Sequence, residues 1–223
     1  MGIWTTVLSK MKLRTIDLLE SYLDSELSWR KQETTTINMS IKTSKLKAKD
    51  ANVRAGVVLL YSHWEGFIKN SSQAYLNHIC CKGIPYTNLK NNFRAIGIKE
   101  DCKSLSSKSL DYQLFIVDSV RSPKGKFKVN PESIIDRGPN LKSEVLKEII
   151  STIGFDYGPY ELKKNLIDER LVKNRNKIAH GHKNYDSEDL RDSFSEIKEE
   201  IFEMLEIFKS QVIVAANNQD YLE

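Results

Sequence analysis

Arg175-Asn176-Lys177-Ile178-Ala179-His180-Gly181 sets an arginine and a histidine on either side of four residues, with an amide directly after the arginine. An arginine stays charged and offers a forked set of donors to phosphate oxygens. An imidazole titrates near pH 6.5 and serves as base or acid at neutral pH. A cation and an imidazole held together can therefore cleave a phosphodiester without a metal. On RNA the base takes the 2′-OH proton, the cation holds charge building on the phosphate, and an acid protonates the departing 5′ oxygen. The products are a 2′,3′-cyclic phosphate and a 5′-OH end, and DNA resists because it lacks the attacking hydroxyl.

Position on a helix limits how these side chains can meet. Residues five apart lie about 140° apart in projection, so Arg175 and His180 do not share a face of an ideal helix. Asn176 and His180, four apart, nearly do. The spacing predicts that the helix ends around His180, with Gly181 just past the end, so that the imidazole swings toward Arg175 and both reach a cleft. Asn176 would fix the tautomer of the imidazole or bind a phosphate oxygen. Lys173, Lys177, His182 and Lys183 surround the motif and are candidate RNA contacts. One imidazole does not easily act as both base and acid in a turnover. Either His182 or a second copy of His180 in a homodimer would supply the other.

The elements that must carry these residues read as helices nearly throughout. Leu8 to Trp29 has helical apolar spacing, and polar Gln32 to Ser44 is a break or an exposed continuation. Asp50 to Cys81 is the longest helix, with Val53, Val57, Tyr61, Trp64, Ile68, Tyr75 and Ile79 on one stripe, ended by Gly83 and Pro85. Trp64 is a core residue. Thr87–Ile98 and Ser107–Ser122 read as shorter helices. The stretch of about 122–139 reads as an irregular or β-hairpin insertion, with β-like Phe127-Lys128-Val129 and Ser133-Ile134-Ile135. Asn140 is placed to cap a helix that Gly154 ends. Tyr160 to Ala179 and Asp186 to Ala216 are the last helices, the second with an apolar seam from Leu190 to Val212. The fold class is all-α, one domain over 1–223.

Composition narrows the class. The chain has 223 residues, 40% hydrophobic and 29% charged, with net charge +4, which excludes a largely disordered chain. Lys163 to Lys183 holds seven Lys/Arg against Asp168 and Glu169, whereas Asp186 to Glu206 holds nine acids against Arg191 and Lys198. The basic stretch either attracts a polyanion or is a solvated helix face. No segment has the roughly 20 apolar residues of a membrane span, and the first residues lack the basic and apolar blocks of a signal peptide. Cys80, Cys81 and Cys102 are poor material for a disulfide framework and fit a reducing cytoplasm. His78 with Cys80 and Cys81 lacks zinc spacing, so no metal and no cofactor are expected. Ser122-Pro123-Lys124-Gly125-Lys126 is not in P-loop order. His63 lies off the apolar stripe and is read as structural.

The Arg-Asn…His string resembles the R-(N/H/D)-x(4–6)-H motif of HEPN domains, many of which are metal-independent ribonucleases. Leu59 to Phe67, containing Trp64-Glu65-Gly66, and Leu171-Val172-Lys173-Asn174 resemble the RiboL-PSP-HEPN-like group of bacterial proteins. The resemblance implies a HEPN-type helical bundle and an endoribonuclease with Arg175, Asn176 and His180 as catalytic residues. It favours a homodimer with facing motifs over His182 as the second imidazole. It also implies a cytoplasmic toxin or antiviral effector restrained by an antitoxin or another inhibitory partner. Glu65 would orient Arg175 or His180, or is an exposed acid beside a glycine that lets another helix approach. The alternatives are a HEPN module that binds RNA, nucleotide or protein without cleaving, and a helical adaptor.

Overall fold

The computed structural model describes residues 12–103, 109–121, 124–136, 138, 140–182 and 187–223. Helix α1 (Ile16–Thr43) starts where extended Thr15 accepts the Leu18 N–H at 3.3 Å. It runs on through the polar stretch from Gln32, so the continuation, not the break, is what forms. The hydroxyls there bond back one turn: Thr34 to the Arg30 carbonyl at 2.8 Å, Thr36 to Gln32 at 3.0 Å and Thr43 to Met39 at 3.0 Å. Such bonds occupy side chains that otherwise compete with the helical backbone. Leu19, Leu23, Leu27 and Ile41 carry the buried face.

Helix α2 (Leu46–Lys82) is the central element. The expected stripe is buried throughout, with Trp64 and Tyr61 inaccessible to solvent, and Gly83 closes it in the left-handed conformation. Helix α8 (Ser187–Asn218) packs on both α1 and α2. Leu190, Phe194, Ile197, Ile201, Leu205, Phe208 and Val212 are all buried, so the seam read from the sequence is the face that α8 turns to the core. These long helices hold one hydrophobic cluster.

The middle of the chain lies around that cluster. Helix α3 (Asn91–Lys103) packs against α4 (Leu110–Arg121). Of the two forms expected for this stretch, irregular or β-hairpin, the described residues show no hairpin. Lys126 pairs with Pro85 in an isolated bridge, and Ser133-Ile134-Ile135 lies in the short helix α5 (Pro131–Ile135). The Asn130 side chain accepts the Glu132 N–H at 3.2 Å, and Pro131 at the first helical position needs no partner for a missing N–H. Those two residues start a helix where β-branched composition alone suggests a strand. No helix among the described residues is long and apolar enough to cross a membrane.

Helix α6 (Ser143–Ile153) ends at Gly154 as expected, but Asn140 is not its cap. Asp168 takes that role, accepting the Ser143 N–H at 2.8 Å and the Ser143 hydroxyl at 2.6 Å. The expected helix from Tyr160 to Ala179 divides into a 3₁₀ segment (Gly158–Lys163), a π-helical segment (Leu166–Lys173) and the α-helix α7 (Asn174–Ala179). The Asn174 side chain donates to the Arg170 carbonyl at 2.9 Å and to that of Glu169 at 3.4 Å, satisfying carbonyls at the point where the wider coil narrows. Such π-helical segments cluster at functional sites because they re-aim the side chains that follow.

Candidate active site on helix α7

Helix α7 packs against α2 and carries Arg175 to Ala179 of the motif, with His180 and Gly181 at its end. It ends as the sequence predicts. His180 is the C-terminal cap residue and Gly181 follows at φ 74°. The Gly181 N–H donates to the Ile178 carbonyl at 3.1 Å and the His182 N–H to that of Lys177 at 3.0 Å. This paired closure requires a left-handed residue after the cap, which glycine adopts without a Cβ penalty. Arg54 of α2 reinforces the turn, donating to the His182 carbonyl at 3.1 Å and the Ile178 carbonyl at 3.4 Å. A cation at a helix C-terminus also opposes the partial negative charge there.

The turn leaves His180 and His182 exposed at an open cleft of about 520 Å³. The cleft is lined by Lys173, Asn176, Lys177, His180 and His182 from the motif strand of the chain, and by Lys142, Glu144, Asp168, Glu169 and Val172. Asn176 and His180 share this face, as four-residue spacing requires. Of the acids, Asp168 spends both oxygens on Ser143, and Glu169 pairs with Lys173. Lys183 lies outside the described residues.

Arg175 does not line the cleft. It points to the α2 side of α7, half-buried, with its guanidinium carbon 4.4 Å from the centroid of the Tyr61 ring. One terminal nitrogen donates to Asn140 Oδ1 at 3.1 Å and to Asn176 Oδ1 at 2.8 Å. Asn176 thus joins the arginine to the cleft that it lines. Asn140 is presented by a pinned corner, since Tyr61 Oη accepts the Leu141 N–H at 2.9 Å and Trp64 Nε1 donates to the Leu141 carbonyl at 3.2 Å. Burial pushes the Tyr61 hydroxyl up to about 12, opposed by the Leu141 N–H and raised further by nearby Glu65. The phenol stays protonated and neutral.

Glu65 is paired with Lys69 at 3.1 Å and sits near enough to Tyr61 to raise its hydroxyl, while the bonds of Arg175 go to Asn140 and Asn176. Its neighbour Gly66 does permit a close approach. A Cβ there would sit 3.1 Å from Nη2 of Arg30, whose buried guanidinium is held by Glu26 at 2.9 Å and lies 4.3 Å from the Trp29 centroid. His63 belongs to the same cluster, buried beside Trp29 and 3.0 Å from Glu33. Among the described residues no group of three or more His, Cys, Asp or Glu is gathered closely enough to hold a metal ion.

Sequence reasoning missed Tyr61, Asn140, Asp168 and Arg54. Tyr61 and Arg54 lie on α2, more than a hundred residues before the motif, and no local pattern connects them to it. Asn140 carried a signal, a polar residue at a helix start, that pointed to the wrong partner.

A family model described as HEPN_MAE_28990-like HEPN matches residues 19–221. The match does not reach the RiboL-PSP-HEPN-like assignment. No curated protein and no solved structure matches the chain.

Proposed function

The chain belongs to the HEPN family, and from that premise we propose that it is a metal-independent endoribonuclease acting as one continuous HEPN-type domain. The family association points to nuclease or RNA-related function. The finer reading rests on one observation, that α7 ends in a closed turn placing His180 at the mouth of a cleft lined by Lys142, Lys173 and Lys177.

In this reading RNA lies in the cleft with its phosphate against the lysines. The His180 imidazole takes the 2′-OH proton, the 2′ oxygen bonds to phosphorus, and the bond to the 5′ oxygen breaks. His180 of a second copy, brought close by a two-fold axis near α7, protonates the leaving oxygen. Arg175, held beside the cleft by Tyr61 and Asn140, acts on the phosphate through Asn176, whose oxygen accepts the arginine N–H and whose amide nitrogen donates to the phosphate. A cytoplasmic toxin or antiviral effector held in check by an inhibitory protein is the setting that suits such an activity.

A second reading, RNA binding without cleavage, is favoured by the engagement of Arg175 inside its own protomer with Asn140, Asn176 and Tyr61. RNA cleavage in EDTA by the wild type and by the Arg175→Ala and His180→Ala proteins separates the two. Cyclic-phosphate products from the wild type alone support catalysis. RNA binding with no cleavage by any of the three supports the second reading.

A further inference from the structure

Among the described residues, helix α4 (Leu110–Arg121) stands apart in how little of it is covered. Ile116 is its buried residue, whereas Leu110, Leu114, Phe115, Val117 and Val120 are 45% to 68% exposed. A helix of this length is marginal on its own in water, and most helical stability comes from packing an apolar face. Contact with α3 supplies that on the Ile116 side. Leu110, Leu114, Val117 and Arg121 follow one another at spacings of four, three and four. They form a straight seam on the face turned away from Ile116, the spacing by which one helix meets another.

The charges on α4 say what fits there. Asp111 stands at its beginning and Arg121 at its end, with Asp118 one turn before Arg121 at the groove between α4 and α3. We propose that the seam is a docking surface for a second copy of this chain, with the two α4 helices antiparallel about a two-fold axis. Leu114 of each copy then lies against Val117 of the other, and Leu110 against the aliphatic stem of Arg121. Each Arg121 head reaches Asp111 across the contact, so both ends of the interface are neutralised. The antiparallel arrangement also opposes the helix dipoles, whereas a parallel one would set like charges side by side at each end. The contact is separate from the α7-centred pairing and does not depend on catalysis.

Light scattering on the full chain tests the proposal. Leu114→Asp/Val117→Asp is expected to lower the particle mass, by a factor of about two where this contact joins two subunits or two closed dimers. Circular dichroism confirms that the variant is folded. Both residues are exposed, so the fold does not depend on them. Asp111→Arg and Arg121→Asp are each expected to weaken association roughly fivefold at low salt, and the two changes together to restore it. An unchanged mass in the aspartate variant overturns the proposal and leaves the face to an unlike partner. A halved mass without rescue in the charge-swapped protein overturns the antiparallel register.

Discussion

The guanidinium carbon of Arg175 lies 4.4 Å from the centre of the Tyr61 ring, joining the motif helix to the longest helix of the fold. The contact fixes the arginine from below while Asn140 and Asn176 hold one of its nitrogens. The α2 framework therefore sets the direction of the motif cation.

Tyr61 does two separable jobs, and substitution tells them apart. Tyr61→Phe keeps the ring under Arg175 but orphans the buried Leu141 N–H, at a cost of about 1–3 kcal/mol of stability. RNA cleavage at saturating substrate should stay within about threefold of wild type, since the cation–π contact of about 1 kcal/mol is kept. Tyr61→Leu loses both and should lower kcat about fivefold or more with little change in KM. Urea unfolding and steady-state kinetics on both variants provide the check.

Arg54→Ala should loosen the turn that carries His180 and His182. The loss of two bonds to carbonyls at the end of α7 should cost roughly 1–2 kcal/mol. Amide exchange at Gly181 and His182 should accelerate, whereas exchange within α8 should not. Uniform acceleration would mean that Arg54 supports the whole fold and not the turn.

His182 has its backbone fixed at both groups while its exposed side chain lines the cleft. His182→Ala should weaken RNA binding and slow cleavage at low RNA, with kcat near wild type. A loss at saturation equal to that of His180→Ala would place both imidazoles in the chemistry.

His63 gives a pH-dependent stability. Burial, aided by nearby Arg30, pushes its imidazole down to about 4, so the folded chain keeps it neutral where the unfolded chain protonates it. Stability is then full above pH 6.5 and declines as the pH falls toward 4. Linkage puts the loss at up to about 3 kcal/mol, offset in part by the half-exposed Glu33 carboxylate 3.0 Å away. Denaturant unfolding of wild type and His63→Gln at pH 7 and pH 4.5 should show a smaller decline in the variant.

The helices with strong periodicity were legible in the sequence because their apolar stripes face one core. This holds for the α2 stripe from Val53 to Ile79 and the α8 seam from Leu190 to Val212. The end of α7 was legible because a histidine followed by glycine has few local solutions. The π-helical segment before it was not, since widening of the coil depends on where Asn174 finds carbonyls. The Tyr61 platform and the Asp168 cap escaped because each pairs residues distant in the chain. The Asn140 side chain had two possible partners, and only the fold brings Arg175 within its reach.

The most direct measurement is cleavage of single-stranded RNA in EDTA by wild type and His180→Ala, with product ends identified. The account predicts 2′,3′-cyclic phosphate and 5′-OH ends from wild type, and a rate lower by roughly 10²–10⁴ in the variant with unchanged circular dichroism. Full activity in His180→Ala, or wild-type activity that vanishes in EDTA and returns with magnesium or manganese, would contradict it.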